Sequence, residues 1–413
     1  MQTTTQSRPA VERTSQRNLS RLQVALALIA LATGGFGIGT TEFVTMGLLP
    51  DIARGINESI PTTGHIITAY ALGVVVGAPV IVSLAARLPR RGLAVALVLS
   101  LGVGNAVTAA ASGYWPVMAA RFVAGLPHGA YFGVASLLAA SLVAPQYRGR
   151  AVSSVMLGLS VATVAGVPAS TWLGQSLGWR AAYWAVLGVA VLTAILILAF
   201  VPGSPGDPSA SVRGELAALK KPQVLFAFAA GMIGFGGVFA MYSYIAPIVT
   251  DVTGLSRATI PMFLLAFGLG SVIGTWAAGR LADWDVNRSV FGGFVGSIVV
   301  LVLVFLLSPY AVPAALLVLG VGVVSSLLAM SLQMRLMQTA GDAQMLGAAL
   351  NHSALNIANG VGAWLGSVVL SAGYGYRAPS LVGAGLALLG LLVFGAGLVA
   401  KRRAEERPPA RYR

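Results

Sequence analysis

Long uncharged, apolar segments are the feature of this 413-residue sequence that most restricts how it can fold. They recur along most of the chain, and many reach the roughly 20 apolar residues that a helix needs to cross a bilayer. Only 9% of the residues are charged and 57% are hydrophobic, whereas a soluble domain carries about 25% charged residues. The sequence therefore predicts an integral membrane protein built of membrane-spanning helices.

Twelve membrane spans are predicted. The uncharged stretch 289–334 is too long for one span, and it contains Ser-Pro-Tyr-Ala-Val-Pro at 308–313, a sequence typical of a turn. Division at this turn and at the charged loops gives spans at residues 22–49, 62–86, 92–112, 115–143, 151–175, 180–201, 222–250, 256–281, 289–308, 312–334, 343–370 and 377–400. An even number of spans places both termini on the same side of the membrane.

The basic residues are distributed unequally between the two sides of the predicted membrane. Of the 26 Lys and Arg residues, 21 fall on the side of the termini, four on the other side and one, Arg121, within a span. Segments rich in Lys and Arg stay in the cytoplasm, so both termini are predicted to be cytoplasmic. This asymmetry accounts for the net charge of +14. Because the basic residues are scattered over short loops, no nucleic-acid partner is predicted.

Several kinds of chemistry are excluded by the composition. The first 20 residues are polar and are not followed by a short apolar core with a cleavage site, so the first span is expected to be retained. The absence of cysteine excludes disulfides, thiol catalysis and cysteine-based metal sites. The histidines and carboxylates lack metal-ligand spacing, and no Gly-x-x-x-x-Gly-Lys-Ser/Thr motif of an ATPase is present. We expect no metal, no cofactor and no enzymatic activity.

The chain contains an internal repeat. A polar, proline-containing segment at 202–221 separates six spans from six. A shift of 197 residues aligns, without a gap, Pro50 with Pro247, Leu72 with Leu269, Gly73 with Gly270, Gly77 with Gly274, Leu84 with Leu281 and Arg91 with Arg288. Two repeated six-helix halves around a central site are typical of a transporter.

This repeat predicts the organisation of the whole chain. We expect a cytoplasmic tail at 1–21, an N-terminal six-helix half at 22–201, a cytoplasmic linker at 202–221, a C-terminal half at 222–400 and a basic cytoplasmic tail at 401–413. The fold class is all-α, with twelve transmembrane helices in two pseudo-symmetric halves. Spans one, four, seven and eleven carry polar and aromatic residues, so we expect them to line the cavity.

Two charged residues lie deep inside predicted spans. Glu42 is eight residues before Pro50, and Arg121 is six residues after Trp115. At about 1.5 Å per residue these positions are roughly 12 Å and 9 Å from the same membrane surface. An ionised carboxylate in hydrocarbon is costly and normally marks a substrate or proton pathway. We interpret Glu42 and Arg121 as a proton-coupling pair whose contact breaks and forms, the alternative being a static ion pair that braces two helices.

Other polar and aromatic residues are candidates for the substrate cavity. His128 shares a helix face with Arg121, and it either relays protons and meets substrate or is a packed, hydrogen-bonded histidine. In span eleven, His352, Asn356 and Asn359 share one face and either line a wet cavity or join helices. The aromatic residues of span seven either stack against a flat ligand or only pack: they are Phe235, Phe239, Tyr242 and Tyr244.

Four motifs together resemble the drug:proton antiporter branch of the major facilitator superfamily. They are T-T-E-F-V-T-M-G-L-L-P-D-I at 40–52, A-R-L-P-R-R at 86–91, R-F-V-A-G-L-P-H-G-A-Y-F-G at 121–133 and A-G-V-P-A-S-T-W-L-G at 165–174. Within that branch the chain is similar to the chloramphenicol-resistance and arabinose-efflux exporters. The resemblance covers about residues 20–400 and implies the twelve-helix fold of that superfamily.

The resemblance also implies gating residues. The family's loop after span two reads G-x-L-A-D-R-x-G-R-R, and here it reads V-S-L-A-A-R-L-P-R-R, which keeps Arg87, Arg90 and Arg91 but loses the acid. The second half keeps an acid at Asp283, so the cytoplasmic ion-pair lock is expected there. The alternative is that the three arginines only fix topology.

The family's antiporter motif in span five corresponds here to three small or bending residues, Gly158, Gly166 and Pro168. The resemblance implies that they form an interface near the gate that favours export, and a purely structural kink is the alternative.

The sequence as a whole predicts an exporter in the bacterial cytoplasmic membrane. Its expected partners are a small, largely apolar substrate, protons and the lipid bilayer, and the protein is expected to be a monomer. Chloramphenicol-type antibiotics are the leading substrate class. Export of sugars or nucleosides is the alternative within the same fold, and a receptor or intramembrane enzyme is the alternative from another class.

Overall fold

The computed structural model describes residues 19–85, 88–203, 221–341 and 344–406. Twelve of its helices are long and apolar enough to cross a membrane, as predicted, and no described residue lies in a β-strand. They are α1 (Arg21–Gly47), α2 (Ile60–Ala85), α3 (Arg90–Ala110), α4 (Tyr114–Ser141), α5 (Arg148–Val161, Ala162–Gly166 and Val167–Leu177), α6 (Trp179–Phe200), α7 (Pro222–Gly234 and Gly236–Tyr242), α8 (Ile260–Trp284), α9 (Val286–Leu307), α10 (Ala311–Ala340), α11 (Gln344–Ser371) and α12 (Ala378–Glu405).

Local signals account for several helix ends. Ser20 and Gln23 form a capping box at the start of α1. The Asp285 side chain accepts hydrogen bonds from the backbone N–H groups of Asn287 and Arg288 and so begins α9. Between α5 and α6, Gly178 has a φ of +91°, which a residue with a side chain rarely adopts. Caps and glycines therefore separate helices that hydropathy alone runs together.

Several predicted boundaries differ from those of the structure. The first span stops at Gly47 instead of residue 49, and a short helix, Leu49–Gly55, follows with Pro50 in its first turn. The seventh span is not one helix over 222–250. It is interrupted at Phe235, its second segment ends at Tyr242, and a separate π-helical turn lies at Ile248–Val252. Glycine is about 1 kcal/mol worse than alanine inside a helix, and the glycines around Phe235 explain the interruption.

The tenth span is longer than predicted. It reaches Ala340, so Arg335 lies inside a membrane helix and not in the following loop. Its side chain is 7% exposed and donates a hydrogen bond of 3.1 Å to Gln223 Oε1. In the same way the backbone of Asp283 belongs to the last turn of α8 and not to a loop.

The two halves have the same helix pairings. In the first half α2 packs on α4, α3 on α4 and α6, and α1 on α5 and α6. In the second half α8 packs on α10, α9 on α10 and α12, and α7 on α11 and α12. Each pair in one half thus has its counterpart six helices later, as the internal repeat requires.

Close backbone contacts repeat at the same spacing of 197 residues. A Cβ atom on Gly73 would overlap the carbonyl oxygen of Phe122, and one on Gly270 would overlap that of Leu319. The same holds in reverse: a Cβ on Gly125 would overlap the Tyr70 carbonyl oxygen, and one on Gly322 would overlap that of Phe267. Both partners of each contact are shifted by 197 positions. The repeat is therefore a repeat of three-dimensional packing, in which glycine lets two helix backbones touch.

The halves meet along α2 with α11 and along α5 with α8. We call the side of the membrane away from both chain ends the opposite face, and the other side the terminal face. At the opposite face one buried apolar cluster contains residues from both halves, among them Leu48, Ile52, Tyr244 and Ile248. The two halves are thus packed against each other at the opposite face.

Candidate functional site

Glu42 is buried between the two halves. Its side chain lies in α1 and is 7% exposed. Asn359, in α11 and 1% exposed, donates a hydrogen bond from Nδ2 to Glu42 Oε1 over 3.2 Å. Among the described residues, Glu42 Oε2 receives no hydrogen bond. The predicted carboxylate is therefore held by one neutral donor that belongs to the other half.

Arg121 is fully buried in α4 and is held by the residue next to Glu42. Its NH1 donates to the Thr41 hydroxyl over 3.0 Å and its NH2 to the Thr41 carbonyl over 3.1 Å. The Thr41 hydroxyl in turn donates to Asn105 Oδ1 over 2.5 Å. The guanidinium also lies 4.3 Å from the ring centre of Tyr70 and 5.5 Å from that of Tyr183. Such contacts with aromatic faces stabilise a desolvated cation.

The direct ion pair expected between Glu42 and Arg121 is not present in this conformation, because none of the ion pairs of the described residues joins them. The two charges do lie at a similar depth, as predicted, since Arg121 binds the residue immediately before Glu42. Two oxygens of Thr41 bind the terminal nitrogens of the guanidinium, whose Nε has no partner among the described residues, whereas Glu42 is bonded to Asn359 of α11. The arginine is thus a fixed charge near the carboxylate without being its hydrogen-bond partner.

His128 belongs to the same cluster. Its side chain is 4% exposed, and Nδ1 lies 3.0 Å from the Tyr70 hydroxyl, on the ring that stacks with Arg121. The His128 ring is 5.4 Å from Phe132, which stacks on His352 of α11 at 5.9 Å and 11°. The two predicted histidines therefore flank one phenylalanine and connect α4 of the first half with α11 of the second.

The asparagines of α11 are buried and only partly hydrogen bonded. Asn356 donates from Nδ2 to the His352 carbonyl over 3.0 Å, and Asn359 donates to Glu42. The Oδ1 atoms of both residues are buried without a partner in the described part of the chain. A buried acceptor without a donor costs about 1–3 kcal/mol. These oxygens are therefore available to a ligand that donates hydrogen bonds.

Two aromatic residues of α7 contact the ring of Phe43, the residue after Glu42 in α1. The Phe43 and Phe239 rings are stacked, with their centres 6.4 Å apart, and Tyr242 meets Phe43 edge-on at 6.1 Å. Tyr244 is different, because its hydroxyl donates to the Ala363 carbonyl over 2.9 Å. It belongs to the apolar cluster at the opposite face. Phe239 and Tyr242 thus pack on α1 at the residue after Glu42, whereas Tyr244 bonds to the backbone of α11.

The predicted motif residues of α5 bring that helix close to α1. A Cβ on Gly158 would overlap the Ala32 carbonyl oxygen, and one on Gly166 would overlap the Thr40 hydroxyl. Pro168 follows a π-helical turn at Ala162–Gly166. This turn also touches α8, where a Cβ on Gly268 would overlap the Thr163 carbonyl oxygen. The motif glycines therefore pack α5 tightly on α1 within the first half, next to Thr40, and the neighbouring π-helical turn contacts α8 of the other half.

The predicted arginine motif is described only in part. Arg91 donates to the Leu198 carbonyl at the end of α6, within the first half, and Arg90 begins α3. Arg87 lies outside the described residues, as does the side chain of Asp283.

Polar contacts that sequence spacing did not reveal join the halves at the opposite face. Asp51 accepts hydrogen bonds from Arg54 of its own half and from Arg257 of the other half. Gln175 donates to the Arg257 carbonyl over 2.9 Å. His65, to which the sequence assigned no role, lies 3.1 Å from Ser367 of the second half. No motif indicates these pairs, because Asp51 and Arg257 are 206 residues apart in the sequence.

Two repeated six-helix halves with a buried, polar cluster between them define a membrane transport protein. The sequence profile of the Major Facilitator Superfamily matches residues 31–351. The chain therefore belongs to this superfamily, whose members are transporters rather than enzymes.

Several known proteins are similar over much of the chain. The Inner membrane transport protein YdhP of Escherichia coli strain K12 is 38% identical over 372 residues, which are 90% of this chain and 96% of that protein. The Chloramphenicol resistance protein of Streptomyces lividans is 38% identical over 262 residues, 62% of this chain and 67% of that protein. The Probable sugar efflux transporter of Helicobacter pylori strain 26695 is 29% identical over 371 residues, 89% of this chain and 93% of that protein.

Solved structures share the fold. The crystal structure of a bacterial homolog of the human lysosomal transporter Spinster, in an inward-facing and unoccupied conformation, has a TM-score of 0.71 at 13% identity. The match covers 95% of this chain and 100% of that chain. With its twelve long, apolar helices, the chain is a multi-pass membrane protein.

Proposed function

We propose that this transporter is a proton-coupled exporter that exchanges a small substrate for protons. The observation that carries the proposal is the position of Glu42, a buried carboxylate on one half whose hydrogen-bond donor, Asn359, is on the other half. A titratable group at this junction makes the relative position of the halves depend on its protonation. Coupling of that kind is what an antiporter requires.

In this proposal Glu42 carries the proton and Arg121 is a fixed charge. When the halves separate, water reaches Glu42 and stabilises its ionised form, and when they close, burial favours the neutral form. Arg121 stays bound to Thr41 and the two tyrosine rings and keeps the local potential positive. Alternating exposure then takes up a proton on one side of the membrane and releases it on the other.

The proposed substrates are small and largely apolar, with chloramphenicol-type antibiotics first. Phe43, Phe239 and Tyr242 offer aromatic faces beside Glu42, and the free Oδ1 atoms of Asn356 and Asn359 offer acceptors. An aromatic molecule with hydroxyl and amide donors fits both. The similarity to the Chloramphenicol resistance protein supports this class.

A second candidate is the export of sugars or nucleosides. It is favoured by the buried acceptors without donors, which would suit a substrate with several hydroxyl groups. The similarity to the Probable sugar efflux transporter points the same way. In the first candidate the aromatic residues contribute much of the substrate binding, whereas in the second the hydrogen-bond acceptors do.

A resistance and accumulation panel tests these candidates. The protein is expressed in a bacterial host that lacks its main efflux pumps, and the intracellular level of chloramphenicol, cationic dyes, labelled sugars and nucleosides is measured. The expected result is lower chloramphenicol accumulation that is restored by an uncoupler. Lower accumulation of sugars or nucleosides alone would support the second candidate, and no change for any compound would contradict export of these classes.

The proposal includes an orientation and gates. Both termini are cytoplasmic, so the opposite face looks outward, and residues 22–201 and 222–400 are the moving halves of a monomer. The junction at Gly158, Gly166 and Pro168 is where α5 pivots on α1. Asp283 and the arginines Arg87, Arg90 and Arg91 are the proposed cytoplasmic gate, and Asp283→Asn is expected to impair transport without reducing the amount of protein in the membrane.

A further inference from the structure

Asn359 is buried in an unusual hydrogen-bonding state. Its Nδ2 donates to Glu42 Oε1, while its Oδ1 is buried and has no donor in the described part of the chain. The second oxygen of the carboxylate, Oε2, also receives no hydrogen bond from a described residue. One hydrogen bond thus joins the amide and the carboxylate across the halves, and one oxygen of each group has no partner in the described part of the chain.

The unused positions fit a proton on Glu42. An ionised carboxylate has only acceptors, and an amide has one acceptor and two donors on its nitrogen. Face to face, the two groups can therefore form one bond while the two remaining oxygens stay unpaired. A neutral carboxyl group has one donor and one acceptor and so complements the amide. Its O–H can donate to Asn359 Oδ1 while Oε1 continues to accept from Nδ2.

We infer that Asn359 is the positioning residue through which the proton on Glu42 closes the transporter at the opposite face. With the proton bound, two hydrogen bonds join α1 to α11, and without it only one remains and the charged Oε2 has no donor among the described residues. The inference rests on the proposed function and adds to it the residue of the second half that responds to the proton.

The surroundings of Glu42 make Asn359 the partner that can respond. The titratable or charged groups on helices packed around Glu42 are Tyr70 on α2, Arg121 and His128 on α4, Tyr183 on α6, Tyr242 on α7 and His352 on α11. Arg121 uses both terminal nitrogens on Thr41. None of these groups donates to Glu42 in the described structure, and Asn359 does.

The neighbouring contact carries the response to a second helix. Gly360 follows Asn359, and its carbonyl accepts a hydrogen bond of 3.1 Å from the Thr68 hydroxyl of α2. The α2–α11 junction is close here, because a Cβ on Gly360 would lie 3.3 Å from that of Ala71. Residues 359 and 360 thus attach α11 to both α1 and α2, and a change at Glu42 acts on the main contact between the halves.

The direction of the effect suits exchange. A proton that enters from the opposite face completes the pair and favours closure at that face. Its release toward the terminal face leaves a buried, singly bonded carboxylate, which is costly, so reopening at the opposite face becomes easier. A substrate that donates hydrogen bonds to Asn359 Oδ1 competes with the proton for the same amide.

The same helix supplies a matched control. Asn351 is 2% exposed, donates from Nδ2 to the Ala329 carbonyl over 3.3 Å and also has a buried Oδ1 without a partner. Its acceptor belongs to α10 of the same half. Asn351→Leu therefore removes the same kind of half-satisfied asparagine without touching a contact between the halves.

Distances between spin labels test the inference. Trp115 and Val312 start α4 and α10 at the opposite face, are 76% and 70% exposed and are equivalent in the repeat. The chain has no cysteine, so Trp115→Cys with Val312→Cys can be labelled without background. Their distance is measured by electron paramagnetic resonance in lipid nanodiscs over a pH series, in the absence of substrate, with correctly folded protein selected by size exclusion.

The full-length protein is expected to gain the short distance as the pH falls. The ratio of short to long distances should change about fivefold, the effect of one hydrogen bond of about 1 kcal/mol. Asn359→Leu and the smaller Asn359→Ala should lose the part of this pH response that the hydrogen bonds to Asn359 supply and keep only the part due to burial of Glu42, and Asn351→Leu should keep the whole response. An unchanged response in both Asn359 variants would overturn the inference but leave proton coupling intact. A distance that does not respond to pH even in the unmodified transporter would overturn proton coupling at Glu42 itself.

Discussion

The Arg121 guanidinium donates to both the side chain and the carbonyl of Thr41, and so the buried cation is attached to the backbone of α1 one residue before Glu42. This arrangement differs from an ion pair in its consequences. Protonation of Glu42 does not release Arg121, and the arginine continues to join α1 and α4 throughout the proposed cycle. The movable contact is on the other side of the carboxylate, with α11.

Replacement of Arg121 is expected to impair coupled transport severely even when the charge is kept. Lysine has a single ammonium group and cannot reach both Thr41 oxygens in the geometry of a guanidinium. Each buried group that is left without a partner costs about 1–3 kcal/mol. We predict that Arg121→Ala removes transport and that Arg121→Lys keeps only a small part of it, measured as proton-driven uptake of substrate into inside-out vesicles.

A surface arginine is the control for this prediction. Arg150 lies over the Tyr147 ring at 6.0 Å, and both residues are exposed. Arg150→Lys should transport normally. Equal activity of Arg121→Lys and Arg150→Lys would mean that a positive charge suffices at Arg121 and that the two bonds to Thr41 have no role.

The ion pair between Asp51 and Arg257 is expected to hold the opposite face closed. Arg257→Gln should shift the distance between labels at Trp115→Cys and Val312→Cys toward longer values. Because the pair is partly exposed, with side-chain exposures of 11% and 45%, the shift should be about two- to fivefold in population and weaker at high salt.

Arg54 provides the comparison, since it donates to the same oxygen of Asp51 from within its own half. Arg54→Gln should leave the distances unchanged. If both substitutions open the transporter equally, the contact acts by positioning Asp51 and not by joining the halves.

Helical spacing predicted depth in this chain but not contacts. The rise per residue placed Glu42 and Arg121 at similar depth, and they are indeed one residue from direct contact. Neighbouring residues of a helix point about 100° apart, so a rotation that spacing does not fix decides between Thr41 and Glu42 as partner. The ion pair between Asp51 and Arg257 was not predicted from the sequence for a related reason. Its members are brought together only when the halves pack.

The repeat, in contrast, was predicted because it is written in residue identities. Gly73 and Gly77 align with Gly270 and Gly274 in the sequence, and each of these glycines contacts a carbonyl oxygen of the partner helix. Such a contact tolerates no side chain, so glycine is the residue that the packing requires. The interruption of α7 was not predicted. Glycine also weakens a helix, but its presence does not indicate at which residue the helix ends.

The glycine contacts predict a difference in stability between two alanine substitutions in α4. Gly125→Ala places a methyl group against the Tyr70 carbonyl, and such overpacking costs about 1–3 kcal/mol. Gly133→Ala meets nothing within 4 Å and should be neutral or stabilise the helix by up to about 1 kcal/mol. Thermal unfolding in detergent, followed by the loss of the monodisperse peak, should show a lower Tm for Gly125→Ala only.

The repeat equivalent of Gly125 extends the test. Gly322→Ala in α10 should lower the Tm by a similar amount, because its contact with the Phe267 carbonyl has the same geometry. A normal Tm for both substitutions would show that the helices can separate at these points without loss of stability.

The last prediction concerns Glu42 itself. Glutamine has nearly the same shape as glutamate and keeps an oxygen that can accept the hydrogen bond from Asn359, but it cannot bind or release a proton at physiological pH. Glu42→Gln should therefore permit substrate binding and downhill exchange while eliminating uphill export, and its efflux should no longer depend on the pH gradient. The measurement is substrate flux in proteoliposomes with an imposed pH gradient of either sign. Glu405→Gln is the control, since Glu405 is exposed on the terminal face and pairs with Lys401 over 3.6 Å, and it should export as the unmodified protein does. Undiminished, proton-driven uphill export by Glu42→Gln would remove the physical basis for an antiporter, because no other carboxylate of the described spans is buried between the two halves.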